Sequence, residues 1–376
     1  MRIALITPGG VDRSGEYRVI PALLALIERL AARHEVRVFS LGQENEPGAW
    51  RLAGAEVHNI GARHTRTRAV RTVLRVYDSG PPDVVHAIWS GSSGLIAVAA
   101  GLLLRRPSLI HVAGGELESL PDIGFGGCLT WKGRLREKTV LRRASAVSVA
   151  SAPTLEKLAR LGVKAVRIPL GVDRRVWPPR APVRRQPDRP ARLIHVASLN
   201  RVKDQTTLLQ AAAALARAGV GFTLDIVGED TLGGTIQQLA QDLGLARHVR
   251  FRGFLTQSQV RPLIQEADVM VMSSRHETGP VVVLEAAMLG VPTVGTAVGH
   301  IGEWAPGAAL AVPVGDAQSL ASAVRQVLTD EEMRLRMAQA AQTHACAEDA
   351  DNTARLFERL YQEVLSISPR ARRAVS

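Results

Sequence analysis

A strand–loop–helix segment at residues 267–303 constrains the fold of this chain more than any other feature. It has a short apolar run, Val269–Met272, then a polar loop, then Pro280 and a second apolar run that closes at Gly290. A short apolar run bounded by turn residues is typical of a strand buried on both faces of a parallel sheet. Pro280 is favourable at the first position of a helix, and Gly290 predicts where that helix ends. The segment therefore predicts an α/β protein.

Two carboxylates flank the predicted start of this helix. Glu277 lies in the loop after the strand, and Glu285 lies in the helix among apolar residues. Ligands of open α/β sheets bind at the carboxyl ends of strands, and a helix start offers unpaired N–H groups to a phosphate. The alternative is that Glu277 is a solvated loop acid and Glu285 an exposed helix residue. The apolar neighbours of Glu285 favour the functional interpretation.

Length and composition indicate two ordinary domains. The chain has 376 residues, 46% of them hydrophobic, and a mean hydropathy of +0.05. Its longest apolar run, Leu95–Leu104, is shorter than the roughly 20 residues of a membrane helix. The N-terminal residues enter a strand without a signal-peptide pattern, and Cys128 and Cys346 form neither a disulfide framework nor a metal-ligand pattern. We therefore expect a cytoplasmic protein.

The net charge of +12 comes mainly from arginine, because only five of the 47 basic residues are lysine. Basic residues cluster at 63–75 and 132–143, both with helical spacing. Nucleic acid, anionic lipid, an anionic substrate or a solvated helix face would each explain them. No aromatic residues interleave these clusters as in single-strand binding proteins, which disfavours nucleic acid. Peripheral contact with an anionic membrane stays open.

Strand and helix patterns recur in two series separated by an irregular segment. The first series begins with a strand at Arg2–Thr7, a turn at Gly9 and Gly10, and a helix at 17–33. Residues 171–190 are rich in proline and arginine and have no periodicity, so they are predicted to be a linker. A second series starts at residue 191 and continues to residue 351. The predicted architecture is two Rossmann-like domains facing each other across a cleft.

A basic loop follows the first strand of the second series. It contains Arg201 and Lys203 and precedes a predicted helix. The loop lies on the same predicted sheet edge as Glu277, where cations would neutralise a diphosphate. Two solvated basic residues are the alternative. Arg201 and Lys203 coincide with a helix start and with two acids eight positions apart, and this combination favours a phosphate site.

Glu277 and Glu285 resemble the Glu-x7-Glu motif of glycosyltransferase family four, the retaining nucleotide-sugar transferases with the GT-B fold. The similarity covers nearly the whole chain and is strongest in the second series, at Lys203–Asp204, 251–254 and 277–292. It implies that residues 352–376 pack back on an N-terminal domain of residues 1–170. It also implies a nucleoside diphosphate sugar as donor substrate, with no cofactor and no metal.

The resemblance further implies a role for each matching residue. Lys203 and Arg201 would hold the donor diphosphate, Glu285 the ribose hydroxyls, and Glu277 the donor sugar at its reacting centre. Three further groups of residues would complete the donor site. They lie at the helix start, in the loop around residue 253 and in the glycine turn of the first domain: Gly279, Pro280, Val281, Val282, Gly253, Phe254 and Gly10. On the acceptor side the corresponding residues are Gly114, Gly115 and Glu116.

The sequence departs from the family pattern in two places. Ser198 stands where the family usually has the arginine of Gly-Arg-Leu, and Arg201 is the candidate to replace it. Ala113 stands where the family commonly has a histidine beside the sugar and acceptor. His86, predicted at a strand end, is the remaining candidate catalytic histidine, and a core position is its alternative.

Three functional hypotheses remain open from the sequence. The first is a retaining glycosyltransferase that acts on an unidentified acceptor, a glycan, lipid-linked or small molecule. The second is a catalytically silent sugar-nucleotide-binding partner of another transferase, which the departures at Ala113 and Ser198 would suit. The third is an epimerase or phosphorylase of the same fold, although no lysine at a pyridoxal-type position is identifiable.

Overall fold

The chain forms two compact α/β units. The structure is a computed structural model that describes residues 1–63, 65–186 and 188–366. The first unit comprises Met1–Gly171 and the C-terminal residues from Glu348, and the second comprises Val172–Ala347. Both contain a mainly parallel sheet with helices between successive strands, so the predicted α/β class is confirmed. His64 and residues 367–376 of the predicted returning segment lie outside the described residues.

The first unit is built on an eight-stranded sheet. Seven of its strands run parallel, and the edge strand β3 is antiparallel to β4. The strand order is β3-β4-β2-β1-β5-β6-β7-β8. The strands are β1 Arg2–Thr7, β2 Glu35–Ser40, β3 Gly48–Leu52, β4 Ala55–Asn59, β5 Val84–Ile88, β6 Ser108–Val112, β7 Ala146–Val149 and β8 Val166–Arg167.

Helices cover both faces of this sheet. They are α1 Pro21–Ala31, α2 Thr65–Val76, α3 Leu95–Leu104, α4 Trp131–Arg143, α5 Ala152–Arg160 and, after the second unit, α13 Ala350–Ser366. Right-handed crossovers put α2, α3 and α4 on one face, where α3 contacts both of its neighbours. The same rule puts α1 on the opposite face, where it contacts α13. The C-terminal helix thus belongs to the first unit.

The second unit has a six-stranded parallel sheet in the order β11-β10-β9-β12-β13-β14. Its strands are β9 Ala191–Val196, β10 Phe222–Val227, β11 Val249–Gly253, β12 Val269–Met272, β13 Thr293–Thr296 and β14 Ala309–Val312. Its helices are α6 Gln205–Arg217, α7 Thr235–Asp242, α8 Gln257–Glu266, α9 Val281–Met288, α10 Gly299–Trp304, α11 Ala317–Thr329 and α12 Glu331–Ala347. Because all six strands are parallel, their carboxyl ends form one edge, which carries the loops after β9, β11 and β12.

The segment predicted as a linker packs along the second unit. Arg180 N–H donates to Met288 O, and the Arg189 guanidinium binds both carboxylate oxygens of Asp268 at 2.8 Å. Trp177 is almost completely buried, and its ring N–H donates to Gln257. Residues 172–190, predicted from the sequence as part of an interdomain linker, therefore belong to the second unit in the structure.

Most predicted elements match the observed ones within a few residues, and the differences have local causes. The first helix begins at Pro21 rather than near residue 17, because residues 12–20 form a turn. The sequence prediction omitted β3, α5, β13, α10 and β14, which have ten residues or fewer. It also omitted α3, because residues 95–104 are almost all apolar and show no helical periodicity. Within the described part of the chain, no helix is long and apolar enough to cross a membrane.

Candidate functional site

The centre of the candidate site is an ion pair at the carboxyl edge of the second sheet. Lys203 follows β9 and Glu277 follows β12, its neighbour in the sheet. Lys203 Nζ donates to Glu277 Oε1 at 2.6 Å, and both side chains are largely buried. Ser274 Oγ donates to the same oxygen at 2.7 Å. Among the described residues none donates a hydrogen bond to Glu277 Oε2, so this oxygen can accept one from a ligand.

Short hydrogen bonds hold the two loops against each other. Ser273 Oγ donates to Lys203 O at 2.8 Å, and Arg275 N–H donates to Val202 O at 2.8 Å. Asn200 Oδ1 accepts from the backbone N–H groups of Val202 and Lys203, which closes the basic loop on itself. The Lys203 ammonium is therefore positioned by backbone contacts as well as by its partner carboxylate.

The helix start beside Glu277 differs slightly from the predicted one. Pro280 is the N-cap residue and α9 begins at Val281, whereas the sequence predicted Pro280 in the first helical position. Proline offers no N–H group, so the free donors at this end come from Gly279, Val281 and Val282. These three residues are partly exposed. The helix start can therefore present several N–H groups and the positive end of its dipole to an anion.

Glu285 is the second carboxylate of the predicted motif. It lies in α9 with 8% of its surface exposed, among apolar residues of the second unit's core. No described residue forms a hydrogen bond with its carboxylate, and burial raises the pKa of Glu285 to about 8. A buried carboxyl group without a protein partner is costly, so hydroxyl donors from a ligand would stabilise it.

Two buried polar residues that the sequence analysis did not select support the basic loop. His195 is fully buried, and burial lowers its pKa to about 4, so the ring is neutral at pH 7. Its Nδ1 donates to Val271 O at 2.8 Å, which leaves Nε2 to accept from the Gln205 amide at 3.2 Å. Gln205 also donates to Ser198 O. These hydrogen bonds connect β9, the basic loop and β12.

Gly299 is a further supporting residue that the sequence analysis missed. It starts α10 with φ +51°, and a Cβ there would lie 2.8 Å from Pro280 Cδ and 3.2 Å from Glu277 O. Only glycine permits both this backbone conformation and this close approach. A glycine at the start of this short helix was the sequence signal that could have indicated a close backbone approach.

The other predicted donor residues lie on the same unit but do not join the ion pair. Arg201 is exposed, and its guanidinium makes no hydrogen bond or ion pair with a described residue. Gly253 is the last residue of β11, two strands from β9, and Phe254 follows it with its side chain 50% exposed. The exposed ring suits stacking on a nucleobase.

Gly10 belongs to the first unit and closes the turn after β1. It has φ +81°, and a Cβ there would lie 2.6 Å from Ile20. Its N–H group donates to Gln43 Oε1 at 2.8 Å, and the Gln43 side chain is buried. A side-chain amide therefore holds this turn in place.

The prediction that His86 lies at a strand end is wrong. His86 is in the middle of β5 and completely buried. Its Nδ1 lies 2.8 Å from Tyr361 Oη, and its ring packs against Phe357 of α13. Burial lowers the pKa of His86 well below its ordinary value, and the neighbouring His111 acts in the same direction. His86 is therefore a core histidine beneath α13, and β5 continues to Ile88.

Glu116 also faces the protein interior. Its carboxylate accepts from the N–H groups of Ser90 at 3.0 Å and Gly114 at 2.7 Å. These contacts connect the start of the Ser90–Gly94 turn to the segment that follows β6. Trp89, immediately before that turn, has φ +71°. Gly114 and Gly115 are partly exposed at the carboxyl edge of the first sheet. Glu116 thus shapes this edge, and its assignment to the acceptor side stays a prediction.

The structure contains no cluster of candidate metal ligands in its described residues. No three His, Cys, Asp or Glu side chains within residues 1–63, 65–186 and 188–366 lie together in a way that could hold an ion. Cys128 and Cys346 are both free thiols.

Comparisons with known proteins agree with this geometry. The family model described as "Glycosyl transferases group 1" matches residues 181–344, and the one described as "Glycosyl transferase 4-like domain" matches residues 19–171. Glycogen synthase of Mycobacterium tuberculosis is 30% identical over 321 residues, which are 83% of this chain and 74% of that protein.

Solved structures share the fold at low sequence identity. Sucrose-phosphate synthase from Thermosynechococcus elongatus superposes with a TM-score of 0.82 at 20% identity, over 98% of this chain and 100% of that one. Anabaena Alr3699/HepE in complex with UDP gives 0.73 at 19% identity, over 96% and 100% of the two chains. The predicted GT-B fold is thereby confirmed, and the chain belongs to the group 1 glycosyltransferases, glycosyltransferase family four.

Proposed function

We propose that this protein is a retaining hexosyltransferase that transfers the sugar of a nucleoside diphosphate sugar to an acceptor without a metal ion. The observation that carries the proposal is the Lys203–Glu277 pair beside the start of α9. This arrangement combines one cation, several backbone N–H groups and one carboxylate with a free oxygen. It is suited to a diphosphate attached to a hydroxylated sugar.

The chemical demand of the reaction is stabilisation of the leaving diphosphate. Negative charge develops on the phosphate oxygens as the glycosidic bond breaks. The Lys203 ammonium and the N–H groups of Val281 and Val282 would donate to those oxygens, in a partly buried site where such contacts are strong. Fixed donors of this kind stabilise charge without reorganising during the reaction.

Glu277 and Glu285 would position the rest of the donor. Glu277 Oε2 would accept from a sugar hydroxyl, while Oε1 keeps the ammonium aligned. Glu285 would accept from the ribose hydroxyls, which would relieve the cost of its burial. In a front-side retaining reaction the acceptor approaches from the side of the leaving group. Here positioning and leaving-group stabilisation are the main contributions of the protein.

The experiment that tests the proposal begins with a donor screen. Thermal unfolding against UDP-, GDP-, ADP- and dTDP-sugars should give a rise in Tm for one base, because a ligand that binds the native state stabilises it. Turnover of that donor should persist in EDTA. The sugar in the first product formed should keep the anomeric configuration that it has in the donor. Glu277→Ala should abolish turnover. Wild-type turnover of this variant, or inversion, would contradict the proposal.

A catalytically silent donor-binding partner is the second candidate function. It is favoured by Ala113 and Ser198, which replace two residues common in the family. The two candidates differ in turnover, because both predict donor binding. Donor binding with neither hydrolysis nor transfer across a broad acceptor panel would support the silent partner.

Peripheral contact with an anionic membrane at the cytoplasmic face is part of the proposal. Helix α4 exposes 64% of Trp131 and 55% of Leu135, and exposed Lys132, Lys138 and Arg142 lie on the same helix. Exposed apolar side chains beside cations are typical of interfacial helices. Trp131→Ala/Leu135→Ala should reduce sedimentation with phosphatidylglycerol vesicles. Tyr17→Ala/Leu161→Ala, which removes equally exposed side chains elsewhere, is the control.

A further inference from the structure

A groove on the first unit, outside the donor site, is lined by arginines. It lies between α2 and the hairpin of β3 and β4, and its volume is about 800 Å³. Helix α2 contributes Arg68, Arg71 and Arg75 together with Thr67 and Thr72, and the strands contribute residues 47–49 and 58–60. The first basic cluster of the sequence is therefore not a uniformly solvated face.

Among the described residues, the lining of the groove contains three guanidinium groups and no carboxylate. Arg68 is half-buried, and its Nη1 donates to Ile60 O at 3.3 Å, which anchors it beside the end of β4. Arg71 and Arg75 are exposed, and neither side chain has a hydrogen bond or ion pair with a described residue. Five N–H donors per guanidinium are thus largely available in this groove.

The spacing of these arginines places like charges next to each other on α2, and their repulsion destabilises the helix. Arg71 lies three residues after Arg68 and four before Arg75, so the charges are neighbours on one helix face. Like charges at this spacing destabilise a helix by about 0.2–0.5 kcal/mol per pair. A bound anion would convert this repulsion into attraction.

His58 forms part of the floor of the groove, and burial lowers the pKa of its ring, so the positive charge of the groove comes from the arginines. His58 stacks on Phe39, and its Nε2 is buried without a hydrogen bond. The nearest acid, Glu56, lies 3.5 Å from that nitrogen, and it also lies 3.8 Å from the guanidinium of Arg37. Glu56 is therefore shared between two basic groups and does not neutralise the arginines of α2.

We infer that this groove is a second anion site, which binds a phosphate group through Arg68, Arg71 and Arg75. Guanidinium groups bind phosphate through paired N–H donors, and Thr72 offers a hydroxyl on the same face. The groove is larger than a single phosphate, so it has room for a phosphate ester. This site goes beyond the proposed donor chemistry, because it lies on the other unit and shares no residue with it.

The helix that forms the groove also reaches the acceptor-side edge of its unit. Arg66, on the same helix, has its Nη2 3.4 Å from Ser92 Oγ in the Ser90–Gly94 turn. An anion that orders α2 is therefore connected through one side chain to the turn that Glu116 positions.

The test separates this groove from the donor site by removing Lys203. Isothermal titration with inorganic pyrophosphate, at constant ionic strength, is performed on Lys203→Gln protein. This protein should retain one binding site. Adding Arg71→Gln/Arg75→Gln should weaken that binding by at least about tenfold, since each charged hydrogen bond contributes roughly 1.5–3 kcal/mol.

The matched control adds Arg247→Gln/Arg250→Gln, which removes two exposed arginines from the second unit. It should bind pyrophosphate as the Lys203→Gln parent does. Equal weakening by both double substitutions would overturn the inference, because it would indicate general attraction to net charge. Unchanged binding after the groove substitutions would also overturn it. All variants are compared by thermal unfolding to confirm that they fold.

Two further arms identify the source of the phosphate group. If it is a lipid headgroup, the groove variant with Lys203 intact should lose retention on phosphatidylglycerol vesicles, while the control variant keeps it. If it is a soluble ester, the groove substitutions on the Lys203→Gln background should abolish binding of glucose 1-phosphate, while the groove variant with Lys203 intact keeps vesicle retention. Either result supports the site. If the groove substitutions impair neither vesicle retention nor ester binding, the inference is overturned. Donor binding by the groove variant with Lys203 intact tests the proposed function separately.

Discussion

Lys203 Nζ lies 2.6 Å from Glu277 Oε1, and this contact joins the loops that follow two adjacent strands of the second sheet. The two residues are 74 positions apart in the sequence. An ammonium and a carboxylate this close hold each other in one orientation, and Ser274 adds a second donor to the same oxygen. The pair therefore fixes the position of a cation at the carboxyl edge of the sheet.

Removing the cation should impair donor turnover far more than removing its exposed neighbour. We expect Lys203→Gln to lower kcat/KM by about 100-fold, the order found when one donor to a developing anion is removed. Arg201→Gln, on the same loop, should lower it less than about fivefold, since surface charges contribute little. Steady-state kinetics with the donor found by thermal shift measures both. An equal loss in the two variants would show that Arg201 shares the diphosphate.

Adding a methyl group at Gly299 should displace the loop that carries Glu277. The new Cβ would lie 2.8 Å from Pro280 Cδ at a backbone φ of +51°. We expect Gly299→Ala to cost about 1–3 kcal/mol and to weaken donor binding by at least about tenfold. Gly307→Ala is the matched control, because no atom lies within 4 Å of its Cβ position. Urea unfolding and donor titration measure the two effects, and normal donor binding in Gly299→Ala would contradict the prediction.

The carboxylate of Glu116 should matter for the first unit and not for donor binding. In Glu116→Gln an amide N–H group would oppose the backbone N–H of Ser90 or Gly114, at a cost of about 1–3 kcal/mol. Glu118→Gln removes a partly exposed partner of Lys157 instead, and should cost about 0–1 kcal/mol. Urea unfolding gives both values. The donor-induced rise in Tm should persist in each variant, and its loss in Glu116→Gln would contradict this assignment to the first unit.

The donor half of the site was predictable because its residues follow local patterns. Lys203 and Glu277 each lie in the loop that follows a short apolar strand, and parallel strands bring such loops to one edge. Gly299, His195 and Gln205 were not predictable, because their roles come from contacts with residues far along the chain. The sequence predicted a strand over residues 83–89 but treated His86 as its end, whereas His86 is the central residue of β5 and its burial depends on contacts with α13 far along the chain.

The basic clusters show the same limit. Their helical spacing predicted α2 and α4 correctly. Charge alone did not distinguish Arg71 in a groove from Arg142 on an outer face, because that difference depends on the β3–β4 hairpin. The sequence prediction had omitted β3, whose alternating residues are partly exposed at a sheet edge.

Replacing His111 should change how stability depends on pH. Burial lowers the pKa of His111 from 6.5 to about 3. Its contribution to stability is therefore complete above pH 6.5 and is lost as pH falls towards 3, by up to about 1.4 kcal/mol per pH unit. His111→Gln should be less stable at pH 7.5, because Ser148 loses its partner, but its stability should decline less steeply in acid. Urea midpoints from pH 7.5 to pH 4 test this, and an unchanged slope would contradict it.

Glu285→Gln should raise stability and lower donor affinity, with the difference growing at high pH. Burial raises the pKa of Glu285 from 4.5 to about 8, so between these values the folded protein keeps a proton that the unfolded chain releases. The stability linked to that proton is complete below pH 4.5 and is lost as pH rises through about 8, at up to about 1.4 kcal/mol per pH unit.

Glutamine stays neutral, so the Tm of Glu285→Gln should exceed that of the wild type increasingly from pH 5 to pH 9. Its amide cannot replace a carboxylate that accepts from two ribose hydroxyls, so the donor-induced rise in Tm should shrink. Glu303→Gln, which removes a more exposed carboxylate of the same unit, is the control and should alter neither quantity. Parallel Tm curves for Glu285→Gln and wild type would contradict the buried, partnerless state of this carboxyl group, and an undiminished donor effect would contradict its contact with the ribose.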